Sequence, residues 1–355
     1  MGLKQSIKKY LAIGMLTILM SNSVLANSNN TANVKILTLD KVIECAMSRE
    51  DKVGVLNKQI TAYKEKLNTI FDIGGIAYYT AKYSYDQAVQ EQEMLKDSVA
   101  YKMMQLYQSI AMLQKQIELG ELDIEVAKKE LLAAQIKNKS GQLSELSLTQ
   151  AKYNVENEET KKRQNELMLE DYKSQLLSLT NINIDEYDSL EEDLSYECIS
   201  EGQNINSIIL KNVDYYMKNK EAYIAYQQDH VVEMLEYKYG TNTGITIDIW
   251  EENKAELAQS NYNTEKQREQ MIESLKTGAM ELKKLEETIA LQAVQLKNMQ
   301  EEHKTVKINY SNGYISELEM QKAEQNVQQL ELSRMQNLYT HKQLQMVFEK
   351  PWVKY

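Results

Sequence analysis

The chain has 355 residues, a single proline (Pro351, near the end) and only 12 glycines, against about 5% Pro and 7% Gly in ordinary chains. So few turn-formers nearly exclude a β-sandwich or a doubly wound α/β fold and leave helix in long uninterrupted runs. A charged fraction of 26% and a mean hydropathy of −0.55 exclude a polytopic membrane protein, and 41 Lys+Arg against 52 Asp+Glu argue against nucleic acid as a partner.

At the N-terminus, Lys4, Lys8 and Lys9 precede an apolar run from Tyr10 to Met20, followed by Ser-Asn-Ser-Val-Leu-Ala at 21–26. A positive region, an apolar region of signal length and a small-residue site predict a signal peptide, residues 1–26, cleaved after Ala26. The protein is therefore expected to be exported. No Cys follows the apolar run, so a lipoprotein anchor is not expected.

A repeat at an offset of 172 residues sets the organisation. Residues 141–155 read GQLSELSLTQAKYNV and 313–327 read GYISELEMQKAEQNV. This predicts a duplication, residues 38–180 and 205–350, joined by an acidic linker over 181–204. In the first copy, Gly74-Gly75 could turn a short β-hairpin, because Tyr79, Ala81, Tyr83 and Tyr85 alternate. Beyond it, Leu106, Ile110, Leu113 and Ile117, then Ile124, Ala127, Leu131 and Ala134, form an apolar seam at the coiled-coil period. Residues 86–139 are expected to be one helix of about 80 Å. Gly141 then reads as a left-handed C-cap, and Ser144 starts a returning helix that runs to about Leu179.

The linker holds eight Asp/Glu and no Lys or Arg between Asp185 and Glu201, which predicts a solvated connector. In the second copy, Leu235–Tyr239 and Ile245–Ile249 flank Gly-Thr-Asn-Thr-Gly and read as a short β-hairpin. A helix over 250–311, about 90 Å long, carries Leu275, Ala279, Leu282, Ile289, Ala293 and Leu296 in the same seam register. Gly313 repeats the C-cap. Ser316-Glu-Leu-Glu319 fits a capping box, and its helix is expected to reach about Glu349. Cys45 and Cys198 could pair as a disulfide in an oxidising compartment or stay as buried thiols.

No catalytic chemistry is legible. His230, His303 and His341 are far apart in sequence, and His303 lies on the seam, where packing or capping is its expected role. No H-E-x-x-H, G-x-S-x-G or P-loop spacing occurs. No enzyme activity, catalytic residue, cofactor or metal site is expected. The 17 Met and 23 Tyr fall mostly in helical stripes, as core and barrel contacts.

The run Leu37-Thr-Leu-Asp-Lys-Val-Ile-Glu-Cys-Ala-Met47 and the duplicated Gly followed by Ser-Glu-Leu resemble the outer-membrane efflux proteins, the TolC family. The resemblance covers about residues 38–350. It implies an all-α-dominated fold of long antiparallel coiled-coil hairpins, three copies closing a tunnel, and tips that meet a periplasmic adaptor linked to an inner-membrane pump. The docking tips it implies are Ser140, Gly141, Gln142, Leu143, Ser144, Glu145 and Leu146, with Asn312, Gly313, Tyr314, Ile315, Ser316, Glu317 and Leu318. That family carries membrane strands at the opposite end. The corresponding segments here are short and lack proline, so a shortened or absent barrel is expected. A composition suited to a low-GC genome makes either an outer membrane and periplasm or a bare cell surface conceivable. The alternative is a structural coiled-coil protein of the cell envelope with no channel.

Overall fold

The computed structural model describes residues 34–70, 75–198, 204–239 and 246–354. The expected signal segment, Gly74 and Ile245 lie outside these described residues. One compact unit begins at Lys35.

Its elements in chain order are β1 (Ile36–Leu37), α1 (Leu39–Arg49), α2 (Asp51–Ile70), α3 (Gly75–Lys139) and α4 (Glu145–Thr180), then a single turn at Ile184–Glu186 and β2 (Ser189–Leu190). After these come α5 (Ile205–Asp229), α6 (Val231–Tyr239), α7 (Ile247–Ser311), α8 (Glu317–Glu349) and a final turn at Pro351–Val353. The helices α3 and α7 have 65 residues each, or about 97 Å at 1.5 Å per residue.

Neighbouring helices pack in the order α4, α3, α8, α7. Helices α1 and α2 lie along α3, with α1 also against α4, and α5 lies along α7. The fold is thus a layer four helices wide in which α3 and α8 have a partner on each side.

The apolar seam accounts for the packing. Leu106, Ile110 and Leu113 of α3 are buried with Leu169 and Leu176 of α4 and Val42 of α1. On the other side, Leu275, Ala279 and Leu282 of α7 pack with Ile209, Val213 and Met217 of α5 and Phe348 of α8. Both clusters lie midway along the long helices. Toward the tips the seam thins, and Ala293, expected on it, is exposed. A stripe of about two residues in every seven covers one flank of a helix and leaves the others in water.

Three expectations are corrected. Neither predicted β-hairpin forms. Tyr79, Ala81, Tyr83 and Tyr85 lie in α3, where Tyr79 and Tyr83, four residues apart, share a face and stack on Tyr226 and Tyr223 of α5 at 3.9 and 4.1 Å between centroids. Leu235 is buried within helix α6, and the Thr246 hydroxyl caps α7 by accepting from the Ile249 N–H at 3.4 Å, so local capping and aromatic packing override the alternating pattern.

The linker, second, is partly built into the fold. Ile182 and Ile184 are buried, β2 pairs in parallel with β1, and Asp193 binds Lys342 of α8 at 2.6 Å. The apolar residues between the acids anchor it. The third correction concerns Cys45 and Cys198, which are free thiols. Cys45 packs half-buried on α1, whereas Cys198 is exposed in the connector, its thiol pushed up by partial desolvation and the carboxylate of Glu286.

Candidate functional site

The two tips are closed by one backbone device. Gly141 and Gly313 hold φ of +71° and +77°, which L side chains resist. At the first tip the Gln142 N–H donates to the Lys137 carbonyl at 2.8 Å and the Gly141 N–H to Asn138 at 2.9 Å. At the second, the Tyr314 N–H donates to Asn309 at 2.9 Å and the Gly313 N–H to Tyr310 at 2.9 Å. These paired bonds satisfy the last helical carbonyls as a Schellman motif does.

The returning helices start differently. Ser316 and Glu319 form a full capping box: the Glu319 N–H donates to the Ser316 hydroxyl at 3.2 Å, and the Ser316 N–H donates to the Glu319 carboxylate at 2.8 Å. That second bond holds the Glu319 carboxyl below the usual carboxylate range. At the first tip Ser147 replaces the acid. Ser144 accepts from the Ser147 N–H at 3.2 Å, and the Asn138 side-chain amide instead ties the loop by donating to the Leu143 carbonyl at 3.0 Å.

The charges differ as well. Lys137 and Lys139 close the last turn of α3, whereas the last turn of α7 has no basic residue. Glu145 is exposed at the first tip, and Glu317 and Glu319 are exposed at the second. Leu146 and Tyr314 project into solvent at 80% and 79% exposure, the barest large apolar side chains in the described chain. Leu143, Ile315 and Leu318 are half-buried, while Ser140, Gln142, Ser144 and Asn312 are exposed.

The two tips are joined by a polar ladder that the sequence reading missed. Lys129 of α3 pairs with Glu317 at 2.7 Å, and Glu130 with Lys322 at 2.5 Å. The side-chain amides of Gln321 and Gln325 donate to Glu125 and Asp123 at 3.0 and 2.6 Å. Asp123, partly desolvated here, is pushed above the usual carboxylate range, against the pull of its bond from Gln325. No local pattern marks the ladder, because the partners stand almost 200 residues away. Lys129 lies ten residues before the end of α3, so the first tip projects about 15 Å beyond the second along that helix.

No family model matches the chain, and no curated protein does. Its structure is similar to solved structures of outer-membrane channels. The outer-membrane channel CmeC of Campylobacter jejuni is 12% identical, with a TM-score of 0.61 over 92% of this chain and 90% of that one. The outer-membrane protein VceC of Vibrio cholerae is 11% identical, with a TM-score of 0.56 over 89% and 95%. CusC, described as forming a transmembrane channel, is 11% identical, with a TM-score of 0.59 over 93% and 95%. At such identities the likeness shows the fold: the chain has the TolC-like architecture of long helical hairpins, with a two-stranded, two-residue sheet as the sole β-structure among its described residues.

Proposed function

We propose that this chain is an exported duct subunit of a multi-part efflux or secretion system. Three copies, each contributing two duplicated hairpins, would close a tunnel through which a separate pump drives small molecules or peptides. The subunit itself catalyses nothing. Its signal peptide would be removed after Ala26, and the duct would stand in the cell envelope.

The observation that carries this reading is the packing order. Helices α3 and α8 are flanked on both sides, but α4 and α7 end the layer. Those end helices carry large exposed apolar side chains: Tyr153 and Leu167 on α4, Met280, Leu291 and Val294 on α7, at 59–68% exposure. A flat layer leaves such flanks in water. A closed ring pairs the α7 flank of one copy with the α4 flank of the next. The tips, where Leu146 and Tyr314 stand bare in solvent, suit a partner that approaches end-on, and an adaptor protein would dock there.

Light scattering of the purified exported protein tests the ring, and electron microscopy shows its bore. A mass three times that of the processed chain, with a hollow projection, is expected. A monomer, or a dimeric rod as for a structural coiled-coil protein, would reject the duct.

A further inference from the structure

We infer that in the proposed three-copy duct the seam between chains repeats the register of the seam inside each chain, and that its tip end is the weaker of the two. The two hairpins of one chain then hold together to their tips, and the tips part between chains, as three leaves. This rests on the duct reading.

The duplication is the first observation. Helix α3 starts at Gly75 and ends at Lys139, and α4 starts at Glu145; α7 starts at Ile247 and ends at Ser311, and α8 starts at Glu317. All three landmarks recur 172 residues on, the offset of the sequence repeat. A contact within the hairpin recurs with them: Lys128 pairs with Glu159 at 2.8 Å, and its counterpart Gln300 donates to Glu331 at 3.0 Å. Hairpins that match in register offer matching flanks, so the α3–α8 seam is the template for α7 against α4 of the next copy. The stagger between tips does not prevent closure, because elements that lean about a barrel axis convert an offset along themselves into a sideways step.

The bare side chains supply an independent check. Gln108 of α3 is buried and accepts from the Gln343 amide of α8 at 2.8 Å; its counterpart on α7 is the exposed Met280. Tyr339 of α8 is buried against Ala111, and its counterpart on α4 is the exposed Leu167. Gln325 of α8 donates to Asp123, and its counterpart is the exposed Tyr153. The large apolar side chains left open on the end helices thus stand where the inner seam is covered.

Moved on by 172 residues, the polar ladder changes its chemistry. The ion pair of Lys129 with Glu317 becomes Glu301 facing Glu145, carboxylate against carboxylate. Glu130 with Lys322 becomes Glu302 with Gln150, and Glu125 with Gln321 becomes Lys297 with Thr149. Glu301 and Glu145 are both exposed, and Glu301 has a cation only on its own helix, Lys304 at 2.8 Å. Both ion pairs of the inner ladder are therefore lost between chains, and one becomes a repulsion of similar size. Farther from the tips Asp123 with Gln325 becomes Gln295 with Tyr153, an amide and a phenol that can bond, so the loss is confined to the last turns.

The test uses the exported protein with Cys45→Ser and Cys198→Ser, to which Gln295→Cys and Tyr153→Cys are added. Oxidation is expected to give covalent trimers. Gln295→Cys with Thr160→Cys is expected to give roughly tenfold fewer, because seven residues along α4 move the thiols about 10 Å apart. In the chain without added cysteines, Glu301→Lys is expected to lower the concentration at which trimers dissociate, read by light scattering, by roughly fivefold, since each of three seams exchanges a repulsion for an ion pair. The effect of that substitution within its own helix is the same in monomer and trimer and cancels. Lys129→Glu, the reverse change inside the chain, is expected to leave that concentration unchanged. A trimer that crosslinks through Thr160→Cys rather than Tyr153→Cys, or a Glu301→Lys trimer no firmer than the parent, would overturn the inference and leave the duct standing. A protein that stays monomeric throughout would defeat the duct reading and this inference with it.

Discussion

Lys129 on α3 and Glu317 at the start of α8 form an ion pair at 2.7 Å that marks which level of the first hairpin the second tip reaches. Both side chains are partly exposed, at 32% and 54%, so the pair is worth no more than about 1 kcal/mol. The register is instead held by the apolar contacts lower down, where Ala111 of α3 packs with Met335 and Tyr339 of α8. A double-mutant cycle with Lys129→Ala and Glu317→Ala, read by chemical denaturation, should therefore give a coupling below about 1 kcal/mol that shrinks further in high salt. A coupling of several kcal/mol would mean that the ladder, not the core, sets the stagger.

The tip glycines should behave as purely backbone positions. A Cβ at Gly141 or Gly313 would meet nothing within 4 Å, so Gly141→Val and Gly313→Val should cost only the left-handed strain, about 1–2 kcal/mol each. Circular dichroism should show helicity intact. Amide exchange at Gln142 and Tyr314 should accelerate, because their N–H bonds depend on that conformation. Binding of the cognate adaptor should weaken, and unchanged adaptor binding would refute the docking role of the tips.

The tips should separate on acidification. Glu319 is held below its ordinary range by the Ser316 N–H, so its contribution is present above the unfolded carboxyl value near 4.5 and is lost as pH falls through the depressed folded value. The first tip has Ser147 at that place and no such dependence. Amide exchange followed from pH 6 down to 3 should show the start of α8 fraying before the start of α4. Glu319→Gln should remove most of the difference. Equal fraying of both tips would refute the assignment.

Tyr107 offers a test of the middle of the layer. Its hydroxyl lies 2.6 Å from the Leu37 carbonyl and 3.0 Å from the Glu191 carbonyl, and its single proton is shared between them. Burial pushes its pKa up to about 12. A raised value means the stabilisation is complete below the unfolded value near 10 and declines as pH rises toward 12. Tyr107→Phe should destabilise by about 1 kcal/mol, since the buried phenol's hydrogen bonds are lost while the Leu37 carbonyl still accepts from the Glu191 N–H at 2.9 Å, and should flatten the alkaline limb of the stability profile. A variant as stable as the parent at pH 8 would show that water replaces the phenol.

Much of the helical layout was legible. Gly141, Gly313, Ser144 and Ser316 mark the tips because each residue type meets a backbone need that few others meet, and Leu106, Ile110 and Leu113 mark a seam because their spacing matches the helix repeat. The failures have a common cause. Tyr79, Tyr83 and Leu235 fit strand and helix templates alike over a few residues, and only their tertiary neighbours Tyr226, Tyr223 and the packed ends of α3 and α7 decide. The ladder of Asp123, Glu125, Lys129 and Glu130 was invisible for a different reason. Its partners come from the other copy, and charge pairing across that separation leaves no local pattern. The anchoring of the connector by Ile182 and Ile184 was masked by the surrounding acids, whose density has the pattern of a solvated segment.

The pairing of β1 with β2 involves only two residues on each side, yet it joins the start of the first copy to the segment leading into the second, with the Tyr107 phenol tying both to the long helix beneath. That arrangement works as a cinch. Asp193, just beyond β2, carries the tie across to Lys342 of the second hairpin, so prising the two hairpins apart at mid-height must break that ion pair, whereas bending them outward at either extremity would leave it untouched. In an assembled ring the waist would then keep a set girth, and any dilation would be confined to the rims.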